Sequence, residues 1–153
     1  MEVKMKTVVT YKMHGVAETH ARTKVNVRDL VSLVDEPAER GGSNQAPSPT
    51  ETMIVALIGC TNVITQKIAK KHGVEIKEMS VDAQTKFDRR GVILEEEVTV
   101  PFPEINLTIN LKTEATEAEI EIIKTDLKKF CAISKVIRES GTIINEEWRV
   151  QRP

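Results

Sequence analysis

Aromatic residues are scarce in this sequence, in which Phe, Tyr and Trp make up 3% of 153 residues. A surface that stacks nucleic-acid bases on aromatic rings is therefore not expected. The charges also balance, with 22 Lys and Arg against 23 Asp and Glu, so the chain lacks the basic field that attracts phosphate backbones. The scarcity of aromatic residues and the lack of excess positive charge both argue against nucleic acid as a partner.

Cysteine is equally scarce, and the ligand spacings of metal sites are missing. Cys60 and Cys131 are the only two cysteines, and no Cys-x-x-Cys or His-x-x-x-His pair occurs, so no metal site is expected. In a reducing cytosol, two separated cysteines are either buried small hydrophobes or a redox pair. The presence of only two cysteines favours the first alternative, burial of both side chains, because free cysteine is among the most buried residue types.

Long apolar runs are missing as well. We find no window of about 18 uncharged apolar residues, so no membrane partner is expected. The start, MEVKMKTVVTYKM, alternates instead of forming the apolar stretch of a signal peptide. The length fits one domain, and 40% hydrophobic with 29% charged residues is a globular composition. We therefore expect a single domain over residues 1–153 that is soluble and cytoplasmic.

The first third of the chain predicts strands followed by a long loop. Alternation of apolar and polar residues is cleanest at 3–13, and two less regular strands are predicted at 16–23 and 25–34. Residues 35–48 are rich in Gly, Pro, Ser and Asn, which is typical of a loop. Loops of this length are often functional.

A helix is predicted to begin after Ser48. Ser48 and Glu51 have the spacing of a capping box, and Pro49 suits the first helical position. The helix should end at Gly73. Its first half, MIVALIGC, contains Cys60 and is apolar on every side, so we expect it to lie inside the molecule or inside an oligomer interface.

The second half predicts three strands, one or two helices and a final strand. A capping box at Thr116 begins the helical part, which continues past Cys131. This order predicts an α+β fold with helices packed on antiparallel sheets. The strands are expected at 81–87, at 92–100 after a hairpin turn at 88–91, at 105–111 and at 144–150.

The surroundings of Cys60 limit what it can do alone. A redox site needs a thiolate and a second sulfur within bridging distance. Burial would raise the pKa of Cys60, and the residue lies too far inside the helix for the dipole to lower that pKa. Reactivity therefore requires a cationic partner, for which arginine is favoured because it stays charged when buried.

Two blocks of this sequence resemble the OsmC/Ohr family, that is, osmotically inducible protein C and organic hydroperoxide resistance proteins. Residues 41–60 read GGSNQAPSPTETMIVALIGC, and residues 131–134 read CAIS where the family has Cys-Pro-Val-Ser. The order of strands and helices matches over essentially the whole chain. The resemblance implies an intertwined homodimer in which antiparallel sheets wrap around long central helices, with active sites built from both subunits.

The resemblance also implies a thiol-dependent peroxidase that reduces organic hydroperoxides without haem, flavin or metal. Cys60 would be the peroxidatic cysteine that becomes a sulfenic acid. Cys131 would resolve it to a disulfide, which an external dithiol then reduces. The family pairs an Arg from the N-terminal strands with a Glu near the start of the central helix, and Arg22 and Glu51 are the candidates.

Three positions leave these roles open. Ala132 stands where the family has proline, so a helix break after Cys131 is not enforced; with a break, the two cysteines could exchange roles. Glu51 lies roughly 13.5 Å before Cys60 on a straight helix, so capping is its competing role. Arg22 could equally be a solvated residue at a sheet edge.

Other functions also remain open. An OsmC-like protein without catalysis could bind an apolar ligand in a dimer cleft, or act as a structural stress protein with inert thiols. A general disulfide oxidoreductase is the third alternative, which the absence of a Cys-x-x-Cys motif disfavours.

Overall fold

A computed structural model describes residues 5–153 of the chain. The chain divides into two compact units, Met1–Met53 and Ile54–Pro153, and contains two three-stranded sheets with three α-helices. The α+β class predicted from the sequence is confirmed. The single domain over residues 1–153 stays a prediction.

The sheet of the first unit is an antiparallel meander of short strands: β1 (Met13–Ala17), β2 (Thr23–Val27) and β3 (Leu30–Val34). Val27 pairs with Leu30, so a two-residue turn joins β2 to β3. Arg28 in this turn has φ of 56°, the left-handed conformation that tight hairpin turns require. The turn divides the strand predicted over 25–34.

The strand predicted over 3–13 is wrong for residues 5–12, which are exposed and form no strand. Positions 3 and 4 lie outside the described residues. Alternation is not sufficient because a strand needs a hydrogen-bonding partner, and Val27, opposite Met13, is the last residue of β2. The strand predicted over 16–23 is also wrong beyond Ala17, where a turn closes with the Glu18 N–H donating to the Arg22 carbonyl.

Helix α1 (Pro49–Lys71) begins and ends where its sequence signals predict. Both hydrogen bonds of the capping box form: the Glu51 N–H donates to Ser48 Oγ at 3.2 Å, and the Ser48 N–H donates to Glu51 Oε1 at 2.9 Å. Past the other end, Gly73 has φ of 69°, a conformation that favours glycine. The predicted loop precedes the helix and contains one 3-10 turn, Ala38–Arg40.

Burial separates two faces of α1. Val55, Gly59 and Val63 are exposed and follow one another every four residues, so they share a face. Burial on every side is therefore not achieved within one chain, and burial in an oligomer interface stays a prediction. The buried positions are Leu57, Thr61, Thr65, Ile68 and Ala69.

The length and hydropathy of α1 correct the expectation that no segment is apolar enough to span a membrane. An 18-residue window within Pro49–Lys71 reaches a mean hydropathy of 1.4, enough by length and composition to cross a membrane. The helix contains no uninterrupted run of about 18 apolar residues, so a criterion that requires such a run does not identify it. The core helix of a soluble protein passes the same test, so this property alone does not indicate a membrane protein.

The sheet of the second unit is mixed. Strand β4 (Ile76–Thr85) pairs antiparallel with β5 (Glu104–Thr113), and β5 pairs parallel with β6 (Ile143–Gln151). The parallel pair differs from the expected antiparallel pairing because two helices connect β5 to β6, as a parallel crossover requires. Alternate residues of β5 form the centre of the core: Ile105, Leu107, Ile109, Leu111 and Thr113.

The strand predicted over 92–100 is wrong, because the chain between β4 and β5 forms turns and bends. Arg90 pairs with both Asp88 and Glu96, so the segment curls back on itself. Two prolines, Pro101 and Pro103, cannot donate to a ladder. Because the segment between them forms no strand, β4 and β5 are neighbours in the sheet and pair directly with each other.

Two helices follow β5: α2 (Glu117–Phe130) and α3 (Ala132–Glu139). One of the two hydrogen bonds of the capping box predicted at Thr116 is confirmed, since its hydroxyl accepts the Glu119 N–H at 3.2 Å. Cys131 separates the helices with φ of −74° and ψ of 104°. This extended residue ends α2 and precedes Ala132, the first residue of α3.

Candidate active site

The two cysteines of the chain meet in the second unit. Cys60 lies about three turns inside α1, and Cys131 lies 71 residues later at the junction of α2 and α3. Their thiols lie near enough for Cys131 to raise the pKa of Cys60, and no disulfide joins them. The fold therefore brings together two sulfurs that the sequence keeps far apart.

The helix break at Cys131 occurs although residue 132 is alanine. The Cys131 N–H still donates to the Leu127 carbonyl, which completes α2, while Cys131 is also the N-cap residue of α3. Its side chain makes no capping hydrogen bond. The first amides of α3, which have no partner inside the helix, are therefore left for other acceptors.

Two of these amides lie close to Cys60. The N–H groups of Ala132 and Ile133 are near enough to its sulfur to lower the pKa of the thiol. They belong to the positive end of the α3 dipole, which favours an anion such as a thiolate. A side-chain cation was expected at this place, and the effect of a helix N-terminus was expected only at Cys131.

Opposing influences act on the protonation of Cys60. Burial is the largest, and it raises the pKa of this thiol above its ordinary value. The Ile133 and Ala132 amides lower the pKa, whereas the neighbouring Cys131 thiol raises it further. The balance favours the protonated thiol at neutral pH.

Access distinguishes the two sulfurs. Cys131 is completely buried, with 0% of its surface exposed, whereas Cys60 is half-buried. A molecule arriving from solvent therefore reaches Cys60 first.

Arg22 belongs to the first unit, where a network of polar side chains holds it. Its Nη1 donates to Ser43 Oγ at 2.6 Å, and its Nε donates to Glu18 Oε1 at 3.2 Å. The Ser43 hydroxyl in turn donates to Asp35 Oδ2 at 2.6 Å. Arg22 is thus oriented and not a freely solvated edge residue, while its role toward Cys60 stays a prediction.

Asp35 is the centre of this network and is not among the residues predicted from the sequence. It is fully buried and accepts the Ser43 hydroxyl and the N–H groups of Glu36 and Gln45. The Ser43 hydroxyl, with these amides, holds the pKa of the Asp35 carboxyl well below its usual range. An aspartate at the first position of a long loop is the signal that could have identified it.

Glu51 is occupied by the capping box. The Ser48 N–H, followed by the Ser48 hydroxyl, lowers the pKa of the Glu51 carboxyl. Arg40 also lowers the pKa of Glu51. The Arg40 Nε atom itself lies 2.9 Å from Oε2 of Glu36, with which it forms a salt bridge. The competing interpretation of Glu51 as a cap is therefore confirmed, and its catalytic role stays a prediction.

The geometry of a metal site does not occur within residues 5–153, where no three His, Cys, Asp or Glu side chains are grouped to hold an ion. Of the three histidines, His72 has its Nε2 atom 3.7 Å from Oδ2 of Asp126. His14 stands opposite Asn26 in the first sheet.

Comparison with known proteins identifies a family model and solved structures that match this chain. The sequence model of the family described as OsmC-like protein matches residues 42–147. An OsmC-like protein from Mycoplasma pneumoniae has 13% identity and a TM-score of 0.71 over 94% of this chain and 97% of that one. At this identity the likeness shows the fold alone. No curated protein matches.

Two further structures belong to proteins named for hydroperoxide resistance. An organic hydroperoxide resistance protein OsmC from Legionella pneumophila has 16% identity and a TM-score of 0.65, covering 95% of this chain and 99% of that one. An organic hydroperoxide resistance protein from Elizabethkingia anophelis has 19% identity and a TM-score of 0.65, covering 97% of this chain and 100% of that one.

Proposed function

Because this chain belongs to the OsmC-like protein family, we propose that it is a thiol-dependent peroxidase that reduces organic hydroperoxides. The observation that carries the proposal is the proximity of Cys60 and Cys131, which are 71 residues apart in the sequence. The names of two structural relatives support the substrate class. Thiol chemistry of this kind needs no haem, flavin or metal.

In the first step, the Cys60 thiolate attacks the O–O bond of the hydroperoxide. A sulfur–oxygen bond forms, the O–O bond breaks, and the alkoxide leaves and takes a proton from water. Cys60 is thereby oxidised to a sulfenic acid, and the hydroperoxide is reduced to an alcohol. The greater exposure of Cys60 supports its assignment as the attacking residue.

In the second step, the Cys131 sulfur attacks the sulfenic acid of Cys60 and water leaves, so that a disulfide joins the two residues. An external dithiol then reduces this bond by two thiol–disulfide exchanges and restores both thiols. The proximity of the thiols supports this step, since a disulfide needs the two residues to be adjacent. A reducing cytoplasm would supply the dithiol.

Arg22 and Glu51 keep their proposed roles as the cation and the acidic partner of the site. Ser43 and Glu18 orient the Arg22 guanidinium, which stays charged when buried. The capping hydrogen bond fixes the Glu51 carboxylate. The family resemblance assigns to the site an Arg from the N-terminal strands and a Glu near the start of the central helix, and Arg22 and Glu51 are the candidates for them.

We also propose that the protein is a homodimer whose interface includes the exposed face of α1. Val55 and Val63 are 56% and 47% exposed, respectively, and Gly59 lies between them on the same face. Apolar residues at helical spacing are ordinarily covered. A second copy of α1 would cover them.

The first step should accelerate with pH. Because burial raises the pKa of Cys60 above its ordinary value, the thiolate fraction grows about tenfold per pH unit below that pKa. We expect the single-turnover rate of pre-reduced protein with tert-butyl hydroperoxide to rise about tenfold for each pH unit, and so about 100-fold between pH 6 and pH 8. The remaining hydroperoxide is measured without added dithiol, so that the reductant's own titration does not contribute.

Each pH point is corrected with the Cys60→Ser variant, which lacks the attacking sulfur. A rate that stays flat from pH 6 to pH 9 would contradict the assignment of Cys60 as a thiol protonated at neutral pH. Absence of consumption at every pH would instead favour the alternative of a binding protein with inert thiols.

A further inference from the structure

Helix α3 is attached to strand β6 by an ion pair whose carboxylate is nearly buried. Arg138, in the last turn of α3, donates through Nη2 to Oε2 of Glu146 at 3.2 Å and through Nη1 to the Ile144 carbonyl at 3.0 Å. The Glu146 side chain is 7% exposed. Its other oxygen, Oε1, accepts the Trp148 Nε1–H at 3.1 Å. Both carboxylate oxygens therefore hold a donor, and the end of α3 is tied to one place on β6.

The beginning of the same helix has no comparable restraint in the local sequence. Cys131 precedes α3, and its carbonyl accepts the Lys135 N–H at 3.0 Å and the Ser134 hydroxyl at 3.1 Å, so the cysteine moves with the helix. Residue 132 is alanine, which, unlike proline, does not restrict the backbone of the residue before it. The place of the Cys131 side chain therefore depends on contacts farther along α3.

Stability alone does not account for the ion pair. Removing two opposite charges from water can cost as much free energy as their attraction returns, and apolar residues of similar size often stabilise a protein equally well. Arg138 Nε is moreover buried without a hydrogen-bond partner among the described residues, which adds to the cost. What the pair supplies beyond stability is direction, because its hydrogen bonds form at only one position of α3 on β6.

We propose that Glu146 is a positioning residue that acts through Arg138, so that α3 holds the Cys131 sulfur where it can bond with Cys60. The consequence for catalysis, faster resolution of oxidised Cys60, rests on the proposed peroxidase function. The positioning itself does not, because it is measured as the equilibrium of the Cys60–Cys131 disulfide without any hydroperoxide.

The test equilibrates the protein with mixtures of reduced and oxidised glutathione at neutral pH. For each Cys60–Cys131 bond that forms, the two protein thiols lose their hydrogens and one glutathione disulfide is reduced to two thiols. We expect Glu146→Gln to lower the equilibrium constant of this exchange about tenfold. Glutamine has one side-chain oxygen for two donors, so its amide would face an N–H of either Arg138 or Trp148. Reduced and oxidised protein are counted by mass spectrometry after acid quenching and alkylation.

A matched control lies at the next residue of the same strand. Glu147 Oε1 lies 3.0 Å from Arg149 Nε, but both of these side chains are 63% exposed. Glu147→Gln should therefore leave the glutathione equilibrium constant unchanged. Equal weakening in both glutamine variants, or a constant of Glu146→Gln within twofold of the parent, would overturn the proposal.

A double variant separates positioning from stability. Arg138→Met combined with Glu146→Leu replaces the ion pair by apolar side chains and should melt no lower than Glu146→Gln, because no charge remains buried. Its disulfide equilibrium constant should nevertheless stay about tenfold below that of the parent, since the directional hydrogen bonds are gone. Restoration of the parental constant would show that the pair acts through stability alone and would overturn the proposal. This variant also decides the matter if Glu146→Gln does not fold.

Failure of the peroxidase function and failure of the positioning role give different results. A parent protein that forms the Cys60–Cys131 disulfide in glutathione but consumes no hydroperoxide would refute the peroxidase and leave the positioning role standing. A parent protein that forms no such disulfide in any glutathione mixture would overturn the positioning role, whatever its activity toward hydroperoxides.

Discussion

Replacing Cys60 with serine is expected to abolish hydroperoxide consumption, reducing the rate with tert-butyl hydroperoxide and dithiothreitol by at least about 100-fold. The reason is that the thiolate is the nucleophile that cleaves the O–O bond, and a serine hydroxyl is not ionised near neutral pH. The side chain is half-buried and serine is of similar size, so the fold should survive. Consumption is followed by assay of the remaining hydroperoxide.

The matched variant is Cys131→Ala, which removes the second sulfur and leaves the first step intact. Without dithiol it should consume about one equivalent of hydroperoxide and accumulate a sulfenic acid at Cys60, which dimedone traps. Full turnover in Cys60→Ser would contradict the mechanism. Loss of the first step in Cys131→Ala, with its retention in Cys60→Ser, would show that the cysteines have the reverse roles.

Replacing Val63 with arginine is expected to convert the proposed dimer to a monomer. Val63 is 47% exposed on the face of α1 that also carries Val55 and Gly59. If two copies of this face meet, each dimer would bury two unpaired guanidinium groups, at a cost of several kcal/mol per ion. Light scattering should change from twice the chain mass of 17.1 kDa to that mass itself.

The control is Glu121→Arg, which introduces arginine at the exposed surface of α2. The Glu121 side chain is 70% exposed and pairs with Lys124, so its replacement should leave the mass unchanged. A parent protein that is already monomeric, or a Val63→Arg protein that remains dimeric, would contradict the proposed interface.

The parts of the fold that the sequence predicts well are those encoded by neighbouring residues. The capping box of Ser48 and Glu51 and the terminating Gly73 define α1 because capping depends on residues within one turn. Strand β5 is predicted within two residues because one buried face imposes clear alternation. These features need no knowledge of the tertiary structure.

The strand predictions that fail depend on partners. Residues 5–12 and 92–100 have apolar residues suited to strands, but they do not pair within the described part of the chain. Alternation reports which side chains could share a face, whereas a strand also needs a neighbouring backbone. The parallel pairing of β5 with β6 is likewise decided by the helical connection between them.

The candidate site likewise has parts that neighbouring residues encode and parts that depend on contacts distant in the sequence. The identity of Cys60 and Cys131 follows from the two sequence blocks, but their proximity depends on the break at Cys131, which Ala132 does not encode. The amides that face Cys60 are backbone groups and leave no residue-specific signal in the sequence. The network of Asp35, Ser43 and Arg22 spans a long loop, so residue spacing does not reveal it.

The most direct test of the central claim is mass spectrometry of the pre-reduced protein after one equivalent of tert-butyl hydroperoxide. We predict that the intact chain loses two hydrogens, about 2 Da, and that digestion yields a peptide pair joined through Cys60 and Cys131. Both thiols should return when dithiothreitol is added. Recovery of two unmodified thiols, with the hydroperoxide still present, would contradict the claim that these residues form a peroxidase site.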